Sequence, residues 1–438
     1  MTHEDVSTST IDDEPAPVPA RVVRAWTIWD FGQQSFNSVI LTFVYSVYVT
    51  GLASDPDYGA QLFSNTQAWA GLAIALLAPA VGTMADRARN SRLWLAITTL
   101  ATIACMAGLW FVRPEESYLL LGCILIAVAS VFSELANVFY YAMLLQVSTP
   151  KTYGRISGTA WGLGYIGGVI ALVISLFGFI LDGRFLPIPA DEAMNVRGVA
   201  LLCAAWFLIF GLPLLLWAPK DPPAPENTGA VGLLQAYREL GARIVRLWRS
   251  ERKLLHFFVA SAVYRDGLGA VFALAGVLAA SAYGFPQEEV IYFGLAANLV
   301  AGISTWLAGK LDDRFGPRPV IVGFLSTILV VAGVIIVSDA KLTFWIGGLV
   351  IASCVGPVQT ASRSMLARMT KPETANENFG LYATAGRAVS FMGPGAFAIA
   401  IAVTGQTRLG IIGIAAVLAF GLALFLSMRW TERSPHAG

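Results

Sequence analysis

The sequence contains few of the residues from which catalytic and metal sites are built. Its 438 residues include three histidines and four cysteines. Two of the histidines lie close to the ends of the chain, His256 stands alone, and the cysteines are scattered singly through apolar stretches. The sequence shows no metal-ligand spacing, phosphate-binding loop or nucleophile elbow. We therefore expect no enzyme activity, no cofactor, no bound metal and no disulfide framework.

Charged residues are also scarce. They make up 13% of the chain, whereas 56% is hydrophobic, and the mean hydropathy is +0.66. The 29 basic and 28 acidic side chains nearly cancel, so no excess positive charge points to a nucleic-acid partner. This composition is typical of a polytopic membrane protein, and we expect the chain to be surrounded by a lipid bilayer.

Apolar segments long enough to cross a bilayer, about 20 residues each, recur along the chain. They predict an all-α membrane protein with twelve transmembrane helices, at 24–50, 66–84, 93–112, 118–146, 157–181, 198–218, 254–281, 289–309, 319–338, 342–366, 379–403 and 409–430. We expect an N-terminal six-helix bundle over 22–218, a linker over 219–252 and a C-terminal six-helix bundle over 253–430. Tails at 1–21 and 431–438 complete the chain. The first tail is acidic and proline-rich, which predicts disorder rather than a cleavable signal peptide.

The short loops carry their basic residues mostly on one side of the predicted membrane. That side, called the basic end below, holds Arg87, Arg89, Arg92, Lys151, Arg155, Lys310, Arg314, Arg318, Arg368, Lys371 and Arg429. The opposite end holds Arg113, Arg184, Arg197, Lys341 and Arg408. By the positive-inside rule, both termini and the linker are expected in the cytoplasm. The linker pattern over 233–249 favours an amphipathic helix on the inner membrane surface, and a simple basic tether is the alternative.

Three motifs occur twice in the same order, which indicates an internal repeat. "GTMADRAR" after the second span matches "GKLDDRFGPR" after the eighth, so that Gly82, Asp86 and Arg87 correspond to Gly309, Asp313 and Arg314. "STPKTYGRISG" (148–158) is echoed by "MTKPETANENFG" (369–380), and "WDFGQQSF" (29–36) by "RDGLGAVF" (265–272).

This arrangement over 22–430 resembles the major facilitator superfamily of secondary transporters. "WDFGQQSF", "GLGYIGG" (162–168), "YRDG" (264–267), "QTASRS" (359–364) and "FGLYATAGRAVSFMGP" (379–394) narrow the resemblance to the bacterial relatives of the autophagy-type vacuole effluxers. The resemblance implies two parallel six-helix repeats and alternating access. It also implies a cavity lined by the first, fourth, seventh and tenth spans, and amino acids as the favoured substrate class.

Six charged residues fall inside the predicted spans, where each costs about 2.5–3.5 kcal/mol if unpaired. They are Asp30, Glu134, Asp266, Arg265, Arg363 and Arg387. Helical spacing places Gln33 and Asn37 on the face of Asp30, Asn137 on that of Glu134, and Gln359 on that of Arg363. We expect these ten residues to form a substrate and proton site, in which arginines bind an anionic group and carboxylates take up protons.

The alternative is a structural network of ion pairs that holds the helices in register. For Arg265 and Asp266 this structural role is as plausible as a role in binding. Adjacent helical residues project about 100° apart, so the two side chains do not face one partner. For Asn298, alone in the eighth span, packing is the preferred interpretation.

The repeated loop motif predicts a conformational latch. Asp86 and Asp313 are expected to pair with an arginine or to accept hydrogen bonds at the N-terminus of a neighbouring helix, in one state only. A solvated charged turn is the alternative.

These observations predict a monomeric secondary carrier in the cell membrane, facilitative or proton-coupled, for a small charged or zwitterionic solute. Competing hypotheses are a drug or metabolite exporter, whose cavity would be apolar and aromatic, and a sugar carrier, whose cavity would be rich in Asn, Gln and Trp. A receptor that has kept the fold without transporting is a third hypothesis.

Overall fold

The computed structural model describes residues 18–181, 186, 188–219, 221 and 232–428, which contain helices and no β-strand. The predictions for residues 1–17, Arg184, the proline-rich part of the linker, Arg429 and the C-terminal tail lie outside this range. The helices of the N-terminal half are α1 (Ala20–Ser35), α2 (Tyr45–Thr50), α3 (Pro56–Ala88), α4 (Ser91–Gly108), α5 (Leu119–Ala142), α6 (Leu144–Val147), α7 (Tyr153–Ser175) and α8 (Met194–Trp217).

The linker contributes α9 (Leu233–Arg249). The helices of the C-terminal half are α10 (Arg252–Tyr283), α11 (Gln287–Phe315), α12 (Pro317–Val337), α13 (Lys341–Met369), α14 (Ala375–Ala388), α15 (Met392–Thr404) and α16 (Gly410–Ser427). Among the described residues, eleven helical segments are long and apolar enough to cross a membrane. They coincide with the second to the twelfth predicted spans, whose backbone groups must bond within the segment in a bilayer.

The first predicted span is helical but irregular. It consists of α1, a π-helical segment over Phe36–Phe43 and α2. The amide of Val44 donates to the Val39 carbonyl at 2.9 Å, a bond across five residues that widens the helix. Such widened turns often occur at functional sites, and Asn37 lies within this one.

The eleventh span is broken, where the sequence predicted one helix over 379–403. α14 ends at Ala388 and α15 begins at Met392. Pro394 has no amide hydrogen, and its ring would clash with the Ser390 carbonyl in a continuous helix. The break creates a second helix N-terminus inside the span.

The two halves meet through glycine-rich faces at the basic end, where α7 packs on α11 and α3 packs on α14. A Cβ atom on Gly158 would lie 2.7 Å from the carbonyl oxygen of Thr305. One on Gly82 would lie 2.5 Å from the carbonyl oxygen of Asn376. Small residues permit this close approach of helix backbones.

At the opposite end α7 and α11 diverge. A cavity of about 240 Å³ lies between them, with Gly168 and Leu172 on one side and Gly294 and Asn298 on the other. The Asn298 side chain donates to the Gly294 carbonyl at 2.8 Å and faces this cavity. The halves are therefore closed at the basic end and apart at the opposite end.

α9 crosses the basic end and contacts both halves. The Tyr237 hydroxyl donates to the Leu76 carbonyl of α3 at 3.0 Å, and Arg243 donates to Asn378 of α14 at 3.3 Å. The buried face of α9 consists of Ala236, Leu240, Arg243 and Leu247, while Leu234 and Trp248 are exposed. The linker is thus helical, as its periodicity predicts, but one of its faces packs on protein.

Candidate functional site

A cavity of about 190 Å³ lies between the two halves, on the far side of the glycine contacts from the basic end. Its walls are formed by Asp30, Gln33, Gln34, Asn37, Glu134, Asn137, Val138, Tyr141, Trp161, Arg265, Gln359, Phe379, Tyr382 and Ala383. Most of the predicted binding residues are among them. The exceptions are Asp266, Arg363 and Arg387.

The wall formed by α1 carries a buried carboxylate. Asp30 is 4% exposed, and its Oδ2 atom has no hydrogen-bond partner among the described residues. Next to it, the Gln33 amide donates to the Ser133 hydroxyl at 2.8 Å, and the Asn37 amide donates to Gln33 at 3.2 Å. The amides are held by one another, whereas the Asp30 carboxylate forms no salt bridge, and Arg363 is the cation that acts on it electrostatically.

Arg265 faces the cavity from α10. Its guanidinium carbon lies 3.8 Å from the centre of the Tyr382 ring, and its Nη1 donates to the Tyr382 carbonyl at 3.4 Å. No carboxylate pairs with it within the part of the chain that the structure describes. A cation stacked on an aromatic face keeps its fork of donors available for a further ligand.

Asp266 points elsewhere. Its Oδ2 accepts a hydrogen bond from the Gly393 amide, which belongs to the first turn of α15. A carboxylate at a helix N-terminus is a stabilising cap. The sequence predicted Asp266 in the cavity, whereas the structure places it outside. The break between Ala388 and Met392 gives Asp266 a helix N-terminus to cap. The Gly-Pro pair in the sequence was the available signal for that second N-terminus.

Arg363 is likewise outside the cavity. It is 1% exposed, and its Nε and Nη2 atoms donate to the hydroxyl and the carbonyl of Ser157, both at 2.8 Å. Its guanidinium carbon lies between four rings, called the aromatic cage below: Trp26 (5.3 Å to the ring centre), Tyr140 (5.8 Å), Tyr141 (4.8 Å) and Trp161 (5.1 Å). A side chain of the C-terminal half is thus buried in the N-terminal half.

Glu134 and Arg387 form an ion pair between the halves. The Arg387 Nη2 atom lies 3.0 Å from the Glu134 Oε1 atom, and the two side chains are 37% and 36% exposed. Arg387 does not line the main cavity but lines a small one of about 60 Å³ that also includes Glu134 and Asn37. A partly exposed ion pair is easier to separate than a fully buried one, whose breakage leaves a buried charge uncompensated.

The two copies of the loop motif make equivalent contacts at the basic end. Asp86 accepts hydrogen bonds from the amides of Asn376 (3.2 Å) and Glu377 (2.8 Å) in the first turn of α14. Asp313 accepts them from the amides of Gly154 (2.8 Å) and Arg155 (3.1 Å) in the first turn of α7. Each aspartate caps a helix of the other half.

The remaining motif residues play different parts. Gly82 and Gly309 allow the close approach of the halves, since a Cβ atom on Gly309 would lie 2.6 Å from the Gly154 carbonyl oxygen. Arg87 forms a two-pronged ion pair with Glu239 of α9, at 2.8 and 3.0 Å. Arg314 is exposed, with its guanidinium 5.1 Å from the Phe315 ring centre.

Sequence reasoning missed Asp312, Trp161 and Tyr382. Asp312 is 2% exposed and lies 3.5 Å from Arg368, although its neighbour Asp313 was the residue that the repeat singled out. Trp161 and Tyr382 shape the cavity and hold the arginines. They lie in the glycine-rich fifth span and in "FGLYATAGR", both of which the sequence had marked without assigning these rings a role.

Comparison with known proteins agrees with this architecture. The family described as "Vacuole effluxer Atg22 like" matches residues 63–436. The uncharacterized MFS-type transporter YxiO of Bacillus subtilis is 26% identical over 412 residues, which cover 92% of this chain and 93% of that protein. Autophagy-related protein 22 of Cryptococcus neoformans is 22% identical over 362 residues, 74% of this chain and 65% of that protein. The chain thus spans less than two thirds of this fungal relative.

The human organic anion transporter MFSD10 (TETRAN) has a similar solved structure. Its TM-score is 0.73 at 13% sequence identity, with 93% of this chain and 99% of that chain covered. This likeness confirms the predicted all-α major facilitator fold.

Proposed function

Because the chain belongs to the Atg22-like vacuole effluxer family and is an MFS-type transporter, we propose a substrate for it. The proposed substrate is a small zwitterionic solute that resembles an amino acid. The solute binds in the central cavity, and the two bundles at 22–218 and 253–430 rock about it. The observation that carries this proposal is a pair of opposite charges on the two halves, Asp30 and Arg265, neither of which forms a salt bridge in the described part of the chain.

The two charges suit the two ends of an amino acid. Arg265 presents a planar fork that matches a carboxylate, and the Asp30 carboxylate, which lines the cavity, accepts hydrogen bonds from an ammonium group. A buried charge without a partner is costly, so a ligand that supplies both counter-charges gains binding energy on both walls. Because the walls belong to different halves, such a ligand also favours closure of the halves around it.

The size of the cavity favours a small solute. Pockets for drug-sized ligands have volumes of roughly 300–1,000 Å³ and mainly apolar walls, whereas this one is about 190 Å³ and polar. A sugar is the second candidate, because five amide side chains line the walls: Gln33, Gln34, Asn37, Asn137 and Gln359. A sugar, however, leaves the charges of Asp30 and Arg265 unmatched.

We further propose that the basic end faces the cytoplasm of a cell membrane, so that the described state is open to the outside. Asp30 and Glu134 are the candidate proton carriers. Glu134 is available for this role because its ion pair with Arg387 is only partly buried and therefore easier to break than a fully buried one.

Counterflow in proteoliposomes tests the proposal, with a panel of labelled amino acids and a parallel panel of sugars, each with and without a pH gradient. We expect exchange of at least one amino acid. Since a hydrogen bond to a charged group is worth about 1.5–3 kcal/mol, Asp30→Asn and Arg265→Ala should each lower this flux by roughly 10- to 100-fold. Asn298→Ala, which faces the other cavity, is the matched control.

Three results would contradict the proposal. Exchange of a sugar and of no amino acid would select the second candidate. A flux that is unchanged in Asp30→Asn and Arg265→Ala would remove the cavity charges from the mechanism. If no panel member moves in either direction, the amino-acid and the sugar proposals both fail.

A further inference from the structure

The surroundings of Arg363 resemble a binding site more than an ion pair. Four aromatic rings and Ser157 surround the guanidinium, and one of the rings, Tyr140, is itself stacked on Trp26 and Trp29. No carboxylate in the described part of the chain forms a salt bridge with it, and Asp30 acts on it only from beyond that distance. Its buried Nη1 atom has no hydrogen-bond partner. A cation held by several aromatic faces is the arrangement by which proteins recognise ligands with an ammonium or guanidinium group.

The cage and its occupant come from different halves. All four rings and Ser157 belong to α1, α5 and α7 of the N-terminal half, whereas Arg363 belongs to α13. Ser157 directly precedes Gly158, which contacts α11 at the basic end. If the halves separate at that end, as the proposed alternating access requires, Arg363 leaves the cage together with its own half.

The vacated cage would be open to a ligand. Tyr141 and Trp161 line both the cage and the central cavity, so the two spaces adjoin at these rings. Asp30 stands on the same wall, with a buried oxygen that lacks a partner. The N-terminal half therefore keeps aromatic faces, a hydroxyl, a carbonyl and a carboxylate, all of which favour a cation.

We propose that the aromatic cage is a binding site for an organic cation with a guanidinium or quaternary ammonium group, and that Arg363 is its built-in occupant while the basic end is closed. An external cation competes with Arg363 for the rings. Such a ligand binds only when the halves have separated at the basic end, and it thereby stabilises that state. This inference rests on the alternating access proposed above, but not on the identity of the transported solute.

Equilibrium binding to purified protein in lipid nanodiscs tests the inference. Arg363→Ala empties the cage, and we expect it to bind guanidinium and tetramethylammonium saturably in calorimetry at constant ionic strength. Binding should weaken about tenfold when Trp161→Ala is added, since one strong aromatic contact is lost. Lys310→Ala is the matched control, because it removes a cation from an exposed ring, Trp306, and creates no buried site.

A second variant keeps Arg363 and guards against misfolding of the first. Asp313→Asn weakens the closed state at the basic end and should bind both cations more tightly than the unaltered protein does. The inference is overturned if Arg363→Ala binds neither cation, or binds them no better than Lys310→Ala. It is equally overturned if Arg363→Ala does not fold and Asp313→Asn shows no gain in affinity. Amino-acid flux is not measured, so a failed amino-acid proposal is a separate result.

Discussion

Asp86 and Asp313 make the same contact in opposite directions across the molecule. Asp86, on α3 of the N-terminal half, accepts the Glu377 amide of α14 at 2.8 Å. Asp313, on α11 of the C-terminal half, accepts the Gly154 amide of α7 at 2.8 Å. Each carboxylate of the repeat thus caps the N-terminus of a helix in the other half, which joins the halves twice at the basic end.

Loss of either aspartate cap should separate the two halves at both of these contacts. Asp86→Asn and Asp313→Asn each remove a charge from a helix N-terminus, and a cap is worth about 0.5–2 kcal/mol. If the halves separate in one motion, each variant should speed amide exchange at Asn376 and Glu377 and also at Gly154, by roughly tenfold. Hydrogen-exchange mass spectrometry measures all of these amides.

The matched control for this prediction is Glu373→Gln. Glu373 is an exposed carboxylate just before α14, so its loss reports the general effect of charge near that helix. Faster exchange only at the amides next to the altered aspartate would show two independent caps instead of one latch.

The linker helix should stabilise the protein through Arg243 rather than through its exposed arginines. Arg243 is 7% exposed and contacts Glu251, Asn378 at 3.3 Å and Glu377 at 3.8 Å. Breaking a buried pair costs about 3–5 kcal/mol, and we expect somewhat less for Arg243→Ala because Glu251 is half-exposed. The apparent Tm should fall clearly, whereas exposed Arg238→Ala should leave it unchanged. Equal Tm values for the two variants would show that α9 is only a tether.

A larger side chain at the contact between α7 and α11 should hold the basic end apart. A Cβ atom on Gly158 would lie 2.7 Å from the Thr305 carbonyl oxygen, whereas one on Gly333 would meet nothing within 4 Å. Overpacking costs about 1–3 kcal/mol, so Gly158→Val should shift the population to the separated state and Gly333→Val should not. Spin labels at the exposed positions Lys151 and Lys371 report the distance. An unchanged distance distribution in Gly158→Val would mean that the contact does not control closure.

Substitutions of the neighbouring residues Arg265 and Asp266 should affect solute binding and stability differently. Arg265→Lys loses the planar fork and its stacking on Tyr382, so we expect weaker solute binding and an unchanged Tm. Asp266→Ala loses the cap on the Gly393 amide, which should lower stability by about 0.5–2 kcal/mol and leave solute affinity unchanged. Binding isotherms and thermal unfolding of both variants measure this. The opposite pattern would place Asp266 in the site and Arg265 in the scaffold.

Much of this architecture follows from the sequence alone. Long apolar segments must be helical in a bilayer, because only a helix bonds all of its own backbone groups there. The repeated motif placed Asp86 and Asp313 at equivalent positions of the two halves and predicted contacts at helix N-termini. Helical spacing likewise placed Asp30, Gln33 and Asn37 on one face, and all three line the cavity.

The direction of each buried charge was decided only by the tertiary structure. Arg265 and Asp266 are adjacent, yet Arg265 faces the cavity and Asp266 does not. Asp266 instead caps the helix N-terminus that the break between Ala388 and Met392 creates. Arg363 bonds Ser157 from 206 residues away, and Arg387 pairs with Glu134 from 253 residues away. Hydropathy and residue spacing describe one helix at a time, whereas these partners meet only where the two halves pack together. The sequence therefore determined which charged residues are buried. The packing of the halves determined which residues each of them contacts.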